Sequence, residues 1–275
     1  MKLNAHIPPD SPAATAAHRA VMAGGAMRLG GRGEPGARAV AAALRDTAAG
    51  WMPDAERGWV ERVERRRAEI PFEMVREDLD GLGPGADGAE RLASAWETCR
   101  WTSLPPLWGR FLTRLVSELT PRSSLELGTG LGLSALYQGS ALELRGEGEL
   151  VTMDAHPAAR IAERGFAELE IEHRVQLEFG QIDDTLPGLM ARVGSVDYAM
   201  LDADHSEEAT VRHFEAILPH LAGGAVVLLD DITQTDEMKR AWRAIAANDR
   251  VAAAVGLRRI GVLVMSEHGP GPSGR

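Results

Sequence analysis

The segment LELGTGLGLS, residues 125–134, joins a strand-like apolar stretch to a helix-like one and decides the fold of this 275-residue chain. Its glycines stand at every second position, and glycine lets the backbone approach a ligand at the carboxyl end of a parallel strand. The spacing is G-x-G-x-G and differs from the G-x-G-x-x-G that seats a diphosphate on a helix N-terminus. Glu126, two positions before the first glycine, would repel a diphosphate, so the loop favours a cationic ligand.

A second acid fits the same interpretation. Asp154 ends the next apolar segment, 22 residues beyond Gly132, which is the offset at which a carboxylate binds ribose hydroxyls. Together the two features predict a nucleoside that carries positive charge, such as S-adenosylmethionine with its ammonium and sulfonium groups. A glycine turn without a ligand is the alternative, and the register of Asp154 argues against it. The glycine spacing and Glu126 disfavour a nicotinamide dehydrogenase.

Beyond residue 104, strand-like and helix-like segments alternate, as is typical of a parallel sheet with crossover helices. The predicted strands are 124–127, 150–154, 175–180, 196–201, 225–229, 251–257 and 260–265, and predicted helices include 133–144, 157–169 and 206–221. Too few residues join the last two strands for a crossover helix, so they should form an antiparallel hairpin at the sheet edge. We expect an α/β fold with a Rossmann-like, seven-stranded, mostly parallel sheet, a terminal antiparallel hairpin and an N-terminal helical extension.

The first hundred residues have a different composition. Residues 1–36 are rich in Ala, Gly and Pro, which predicts a flexible, partly ordered arm. Residues 37–100 show helical periodicity around a Gly/Pro break at 81–85, and we expect them to form a helical extension or cap. Residues 101–267 would form the main domain, and 268–275 a disordered tail. A cap over the site and a homodimer interface both stay open as roles for the N-terminal helices.

Composition limits the classes of partner. The 30 Lys and Arg residues stand against 40 Asp and Glu, a net charge of −10 that repels phosphate backbones and anionic lipids. The run ERVERRR at 61–67 interleaves acids with bases, which favours a solvated helix face over a nucleic-acid patch. The single cysteine, Cys99, excludes an internal disulfide, and we find no signal peptide or membrane span. We therefore expect a cytoplasmic protein that binds neither nucleic acid nor membranes.

Five segments, taken in order, resemble the successive motifs of class I S-adenosylmethionine-dependent methyltransferases. They are most similar to the catechol O-methyltransferase-like group of small-molecule O-methyltransferases, and the resemblance extends over residues 102–265. The segments are LELGTGLGLS at 125–134, VTMDAHP at 151–157, GQIDDTLP at 180–187, MLDADH at 200–205 and LDDI at 229–232.

The resemblance implies a set of cofactor-binding residues. Contacts to the methionine part are expected from Glu126, Gly128 and Ser134, and Asp154 would bind the ribose. Ala155, Ile182 and Asp183 would border the adenine, and Thr102 and Ser103 lie where the family's entry segment closes over cofactor and substrate. Gly130 and Asp202 complete the cofactor-binding set. Ile182 is larger than the small or polar residue usual at its position. Trp101 and Trp108, beside the closing segment, have simple packing as an equal alternative.

Three carboxylates follow buried strands and should meet at one edge of the sheet. Asp202 ends one such strand, and Asp230 and Asp231 end the next. Close carboxylates raise one another's pKa, and a cation relieves the repulsion. Mg²⁺ prefers such oxygen ligands and would leave positions open for a substrate hydroxyl. The resemblance implies a metal held by two Asp and one Asn, and here Asp231 replaces the Asn.

His205 follows Asp202 by three residues. The resemblance places there a Lys or His that removes the acceptor's proton, which a neutral imidazole is able to do. The alternative is an exposed residue beside a helix N-cap formed by Asp204 or Ser206. The remaining histidines His156, His173, His213 and His220 show no evident partners, and we expect them to be surface or packing residues.

The function expected from these features is O-methyl transfer from S-adenosylmethionine to a hydroxyl of a small molecule, with Asp202 and His205 as catalytic residues. Family analogy suggests a natural product as the acceptor. Loss of turnover on chelation, with recovery on adding Mg²⁺, would follow from the metal prediction. The alternatives are a metal-independent N- or C-methyltransferase of the same fold and, less favoured, a non-catalytic binding protein.

Overall fold

The seven predicted strands form a single sheet in the order β3-β2-β1-β4-β5-β7-β6. Strands β1 to β5 are parallel, and β7 runs antiparallel to both β5 and β6. The bounds are β1 Ser123–Leu127, β2 Glu149–Asp154, β3 Val175–Phe179, β4 Val196–Leu201, β5 Leu221–Leu229, β6 Val251–Leu257 and β7 Ile260–Met265. The predicted Rossmann-like sheet and its terminal hairpin are therefore confirmed.

The structure is a computed structural model that describes residues 10–79 and 87–267. Within these residues the helices are α1 Pro12–Leu29, α2 Pro35–Ala49, α3 Asp54–Arg76, α4 Gly88–Thr102, α5 Pro106–Leu119, α6 Leu133–Arg145, α7 Ala159–Glu168, α8 Ile182–Val193, α9 Glu207–Ile217 and α10 Asp236–Ala246. The predicted break at 81–85 and the tail at 268–275 lie outside the described residues. No helix in the described ranges combines the length and apolarity that a membrane crossing requires.

Each face of the sheet carries a hydrophobic core because side chains alternate along a strand. In β5, Val226 and Leu228 join the core shared with helices α1 to α7. Val227 and Leu229 point to the other face and join the core with α8, α9 and α10. Burial on both faces explains why β4 and β5 are continuous apolar runs.

The N-terminal helices belong to the first of these cores. Helix α1 packs on α2 and β6, and α2 packs on α5. The expectation of a flexible arm over residues 1–36 did not include α1; residues 1–9 lie outside the described part of the chain. Ser11 caps the helix by accepting from the amide of Ala14, and Met22 and Leu29 are buried. Its alanines favour a helix, and its few large apolar residues sufficed for packing.

The basic run at 61–67 is only partly a solvated helix face. Arg66 is 2% exposed and forms a bidentate pair with Glu73, and its Nη2 also donates to the carbonyl of Ile161. The expectation was wrong for this residue because α3 lies across α6 and α7, so one side of the run faces protein.

Backbone hydrogen bonds continue past the strand ends and hold the site loops together. Gly128 donates to the Met153 carbonyl at 2.9 Å, Asp202 to the Leu127 carbonyl at 2.8 Å, and Asp230 to that of Leu201 at 3.0 Å. Gly128 has φ +98°, and a Cβ there would lie 2.2 Å from the Asp202 carbonyl oxygen. The loop and the end of β4 are thus in direct backbone contact.

We expect Gly128→Ala to destabilise the chain more than Gly146→Ala does. Both glycines have positive φ, but a Cβ at Gly146 meets nothing within 4 Å. The two variants share the backbone cost, and the clash at Gly128 should add about 1–3 kcal/mol. Denaturant unfolding of both variants measures the difference, and equal losses would show that the close approach carries no cost.

Candidate active site

A cavity of about 390 Å³ opens at the carboxyl ends of the parallel strands. Ten of the site residues predicted from the sequence line this cavity: Thr102, Gly128, Gly130, Ser134, Asp154, Ala155, Ile182, Asp183, Asp202 and His205. Ser103 lines it as well. Glu126, Asp230 and Asp231 are not among the residues that line it. The parallel topology accounts for this convergence because successive strand ends meet at one edge.

Asp154 is fixed at the rim of this cavity by the backbone of the glycine loop. Its Oδ2 accepts from the amide of Gly130 at 2.7 Å, and its Oδ1 accepts from the amide of His156 at 2.7 Å. The two bonds orient the carboxylate and leave further lone pairs for a ligand. The loop and the second acid of the sequence motif are therefore one unit.

Glu126 lies beneath the loop with no exposed surface. Its two carboxylate oxygens accept from Gln138 at 2.7 Å and from Thr152 at 2.6 Å. Burial raises the pKa of Glu126 to about 7, and the hydrogen bonds from Thr152, Ser134 and Gln138 oppose that rise. The predicted contact of this acid with a cofactor remains a prediction.

Near α8 the cavity is lined by Arg212 and His213, two residues of α9 that the sequence did not predict as part of the site. Asp183 pairs with Arg212 at 2.8 Å and approaches His213 Nε2 at 3.1 Å. The Arg212 hydrogen bond lowers the pKa of the Asp183 carboxyl. His213 is 5% exposed, and Arg212 and His213 both line the cavity. The expectation that His213 lacks a partner was wrong; its place on the buried face of α9 was the available signal.

The closing segment combines a cavity wall with packing. Thr102 ends α4 and bonds its hydroxyl to the carbonyl of Thr98, and Ser103 is buried beside it. Trp108 is fully buried and makes edge contacts with His18 and Phe111. Trp101 is 44% exposed. Packing therefore accounts for Trp108, while Thr102 and Ser103 lie against the cavity.

The three acids, His205 and one arginine form a cluster at the ends of β4 and β5, which we call the acid cluster. His205 Nε2 lies 3.4 Å from Asp202 Oδ1 and 3.8 Å from Asp231 Oδ2. Asp230 has no exposed surface, and both its oxygens accept from the Arg259 guanidinium at 2.6 to 3.1 Å. Arg259 Nε is also 3.6 Å from Asp231 Oδ1.

The carboxylates of the acid cluster lie close together, and that of Asp230 disfavours the ionised form of the other two. Burial, and then the neighbouring Asp230 carboxylate, raise the pKa of Asp202 to about 8 against the opposing charges of Arg259 and His205. Burial and Asp230 also raise the pKa of Asp231. Asp231 and Asp204 both have positive φ, 51° and 34°. Such conformations of residues other than glycine concentrate at functional sites.

The arrangement does not fit the predicted divalent metal. A metal would need oxygens from Asp202, Asp230 and Asp231 directed at one point, but the Asp230 carboxylate is occupied by Arg259. Within residues 10–79 and 87–267, no three His, Cys, Asp or Glu side chains are arranged as a metal-binding group. Sequence reasoning missed Arg259, although its position in the turn of the predicted hairpin was visible.

Comparison with known proteins gives the chain a family. The family profile described as a methyltransferase domain matches residues 125–232. A catechol O-methyltransferase of Mycobacterium tuberculosis is 30% identical over 196 residues, covering 69% of this chain and 82% of that protein. A catechol O-methyltransferase of Niastella koreensis is 26% identical over 164 residues, covering 59% of this chain and 70% of that protein.

This chain belongs to the catechol O-methyltransferase-like family. It is an S-adenosylmethionine-dependent O-methyltransferase. Its fold is also that of TomG from Streptomyces achromogenes, an O-methyltransferase solved in complex with S-adenosylmethionine, with a TM-score of 0.52 and 23% identity over 60% of this chain and 82% of TomG. The resemblance stated from the five motifs is confirmed.

In this O-methyltransferase the ionisation of Glu126 should make stability depend on pH. The folded pKa of about 7 lies above the ordinary 4.5, so the folded chain keeps a proton that the unfolded chain loses in that window. Stability therefore falls as pH rises from 4.5 to 7. Glu126→Gln should remove this fall and stabilise the ligand-free protein by up to about 3 kcal/mol at pH 8.

Denaturant unfolding at pH 5 and pH 8 measures the effect. Glu149→Gln, at an exposed position, is the control and should keep the wild-type pH dependence. If Glu126→Gln and wild type lose the same stability between the two pH values, the buried carboxyl does not carry the shift.

Proposed function

We propose that this O-methyltransferase binds S-adenosylmethionine in the 390 Å³ cavity and transfers its methyl group to a hydroxyl of a small molecule, with His205 as the base. The single observation that carries the proposal is that one cavity is lined by the glycine loop and Asp154, which we call its cofactor end, and by Asp202 and His205, which we call its acceptor end. A donor held by the loop and Asp154 would direct its methyl group toward an acceptor beside Asp202 and His205.

The cofactor end supplies groups of the right type for a charged nucleoside. Asp154 has lone pairs for two ribose hydroxyls, and Ser134, at the start of α6, lines the cavity and would bind the amino-acid carboxylate. Ala155 and Ile182 line the cavity where the adenine would lie. Ile182 offers the base an apolar surface, and Asp183 is already paired with Arg212. Gly128 and Gly130 add no side chain where they line the cavity.

The acceptor end supplies a proton acceptor. His205 Nε2 is buried and makes no hydrogen bond of ordinary geometry within the described residues. The carboxylate of Asp202, 3.4 Å away, raises the pKa of His205, while burial opposes the rise. An imidazole whose basicity is raised by an adjacent carboxylate is suited to take the hydroxyl proton as the oxygen attacks the methyl group. Asp202 stabilises the imidazolium that results.

The acceptor is best described by its chemical class. The overall charge of −10 and the acids of the cluster oppose a polyanion such as nucleic acid. A neutral or cationic small molecule with a hydroxyl group, of the natural-product kind, suits the site. We derive no step through the predicted divalent metal at Asp202, Asp230 and Asp231, because Arg259 holds Asp230.

Calorimetry with S-adenosylhomocysteine tests the cofactor assignment. Wild type should bind it, and Asp154→Asn should bind it about tenfold or more weakly, because a charged acceptor for the ribose hydroxyls becomes neutral. Asp184→Asn, an exposed acid on α8, is the matched control and should bind like wild type. No binding by wild type would overturn the proposal, and unchanged affinity in Asp154→Asn would remove Asp154 from the cofactor site.

Methyl transfer by His205→Gln tests the base. With labelled S-adenosylmethionine and a panel of small hydroxyl compounds, turnover should fall by about 10²–10⁴-fold, as is typical when a general base is lost. Affinity for S-adenosylhomocysteine should stay close to the wild-type value. His173→Gln changes an exposed histidine on the surface, next to Glu143, and should leave turnover unchanged. Turnover of His205→Gln equal to that of the control would show that His205 is not the base.

A further inference from the structure

We propose that the guanidinium of Arg259 is the built-in cation of the acid cluster and takes the place of a divalent metal ion, so that this enzyme works without one. The inference rests on the proposed function, because it concerns the acceptor end of the same cavity. It departs from what the sequence resemblance implies, and it follows from how the chain places Arg259 against the acids.

The topology brings a positive charge to the edge where the acids gather. Strands β4 and β5 are parallel, so their carboxyl ends carry Asp202, Asp230 and Asp231 to the same edge. Strand β7 is antiparallel to β5 with Gly261 opposite Leu229, so β7 starts where β5 ends. The turn between β6 and β7 therefore lies at the acid edge.

Two hydrogen bonds fix this turn to the loop that follows β5. The carbonyl of Arg259 accepts from the amide of Ile232 at 2.9 Å. The carbonyl of Arg258 accepts from the hydroxyl of Thr233 at 2.8 Å. The turn is thereby tied, through the carbonyls of Arg259 and Arg258, to the residues one and two positions beyond Asp231. The position of Arg259 against the acids is set by the main chain rather than by side-chain freedom alone.

The guanidinium meets Asp230 in a paired geometry. Its Nη2 donates to Oδ2 at 2.6 Å, and its Nε donates to Oδ1 at 2.9 Å. Asp230 has no exposed surface, and the Arg259 side chain is 16% exposed. Bidentate pairing of an arginine with a carboxylate is among the strong and directional hydrogen-bond arrangements. Nε also lies 3.6 Å from Asp231, so one cation serves two carboxylates.

This pairing competes with a metal for the same oxygens. Mg²⁺ requires oxygen ligands at about 2.0–2.1 Å in near-octahedral geometry. The Asp230 oxygens point at the guanidinium, and a divalent ion bound to them would stand beside a fixed positive charge. Release of Arg259 to admit an ion would leave a buried charge without its partner, which is unfavourable. Guanidinium and metal are thus alternatives at this position.

Metal binding by the wild-type protein is the direct test. After dialysis against EDTA, wild type should show no Mn²⁺ binding by calorimetry or electron paramagnetic resonance, no change of Tm with Mg²⁺, and full methyl transfer in EDTA. Stoichiometric Mn²⁺ binding, or activity that disappears in EDTA and returns with Mg²⁺, would overturn the proposal.

Arg259→Gln gives the opposite expectation. With the guanidinium removed, the three carboxylates should acquire Mn²⁺ binding and a Tm that rises with Mg²⁺, and turnover should drop at least tenfold in EDTA and recover in part with Mg²⁺. Arg258→Gln changes the exposed neighbour in the same turn and should behave like wild type. A stable Arg259→Gln protein that neither binds Mn²⁺ nor loses turnover would overturn the proposal.

Two further measurements keep the outcomes separable. If Arg259→Gln fails to fold, the double variant Asp230→Asn with Arg259→Gln removes both buried charges. This double variant should fold without acquiring Mn²⁺ binding. If it binds Mn²⁺ as a metal enzyme does, Asp230 is not the carboxylate for which Arg259 and a metal compete. Calorimetry with S-adenosylhomocysteine separates the two proposals. If wild type does not bind S-adenosylhomocysteine, the proposed function is overturned, whereas Mn²⁺ binding by wild type overturns only the inference about Arg259.

Discussion

The site depends on a line of backbone hydrogen bonds that crosses the sheet just beyond its strand ends. The amides of Gly128, Asp202 and Asp230 each donate to a carbonyl at or next to the end of a neighbouring strand, in β2, β1 and β4 respectively. The hydrogen-bond ladder of the sheet therefore continues for one residue into the loops and sets the distance between them. The residues that follow β1, β2 and β4 line the cavity in a fixed register because their backbones are still paired. The contact of Gly128 with the Asp202 carbonyl belongs to this constraint.

The N-terminal helices support that register from one face of the sheet. Arg114 on α5, 4% exposed, bonds to Asp46 of α2 at 2.9 Å and to Glu56 of α3 at 2.6 Å. Burial raises the pKa of Glu56 against the opposing effect of Arg114. A buried pair of this kind adds little net stability, but loss of one partner is costly, so it specifies how the three helices meet. The helices are part of the main core and share it with α6 and α7.

The sequence alone was sufficient for the sheet and for most of the cavity. Apolar runs and glycine spacing predicted the strands within a few residues, because burial on both faces imposes a continuous apolar pattern. Helix α1 was missed because its composition resembles a linker and one of its packing partners, β6, is remote in sequence. His213 and Arg259 were missed for a related reason. Their partners, Asp183 and Asp230, lie 30 and 29 residues away, and no local pattern records such a pairing.

The charge of the acid cluster follows from the topology of the sheet. Parallel strands place every carboxyl end at one edge, so acids that follow β4 and β5 must meet and repel one another. An antiparallel strand beside them reverses the chain and places the start of β7 at that edge, where a preceding cationic side chain reaches the acids. Helix α1 packs on β6 of the hairpin, and there burial and the nearby charges of Arg258 and Arg259 lower the pKa of His18. A covalently attached cation holds its charge at this edge of the sheet regardless of metal concentration.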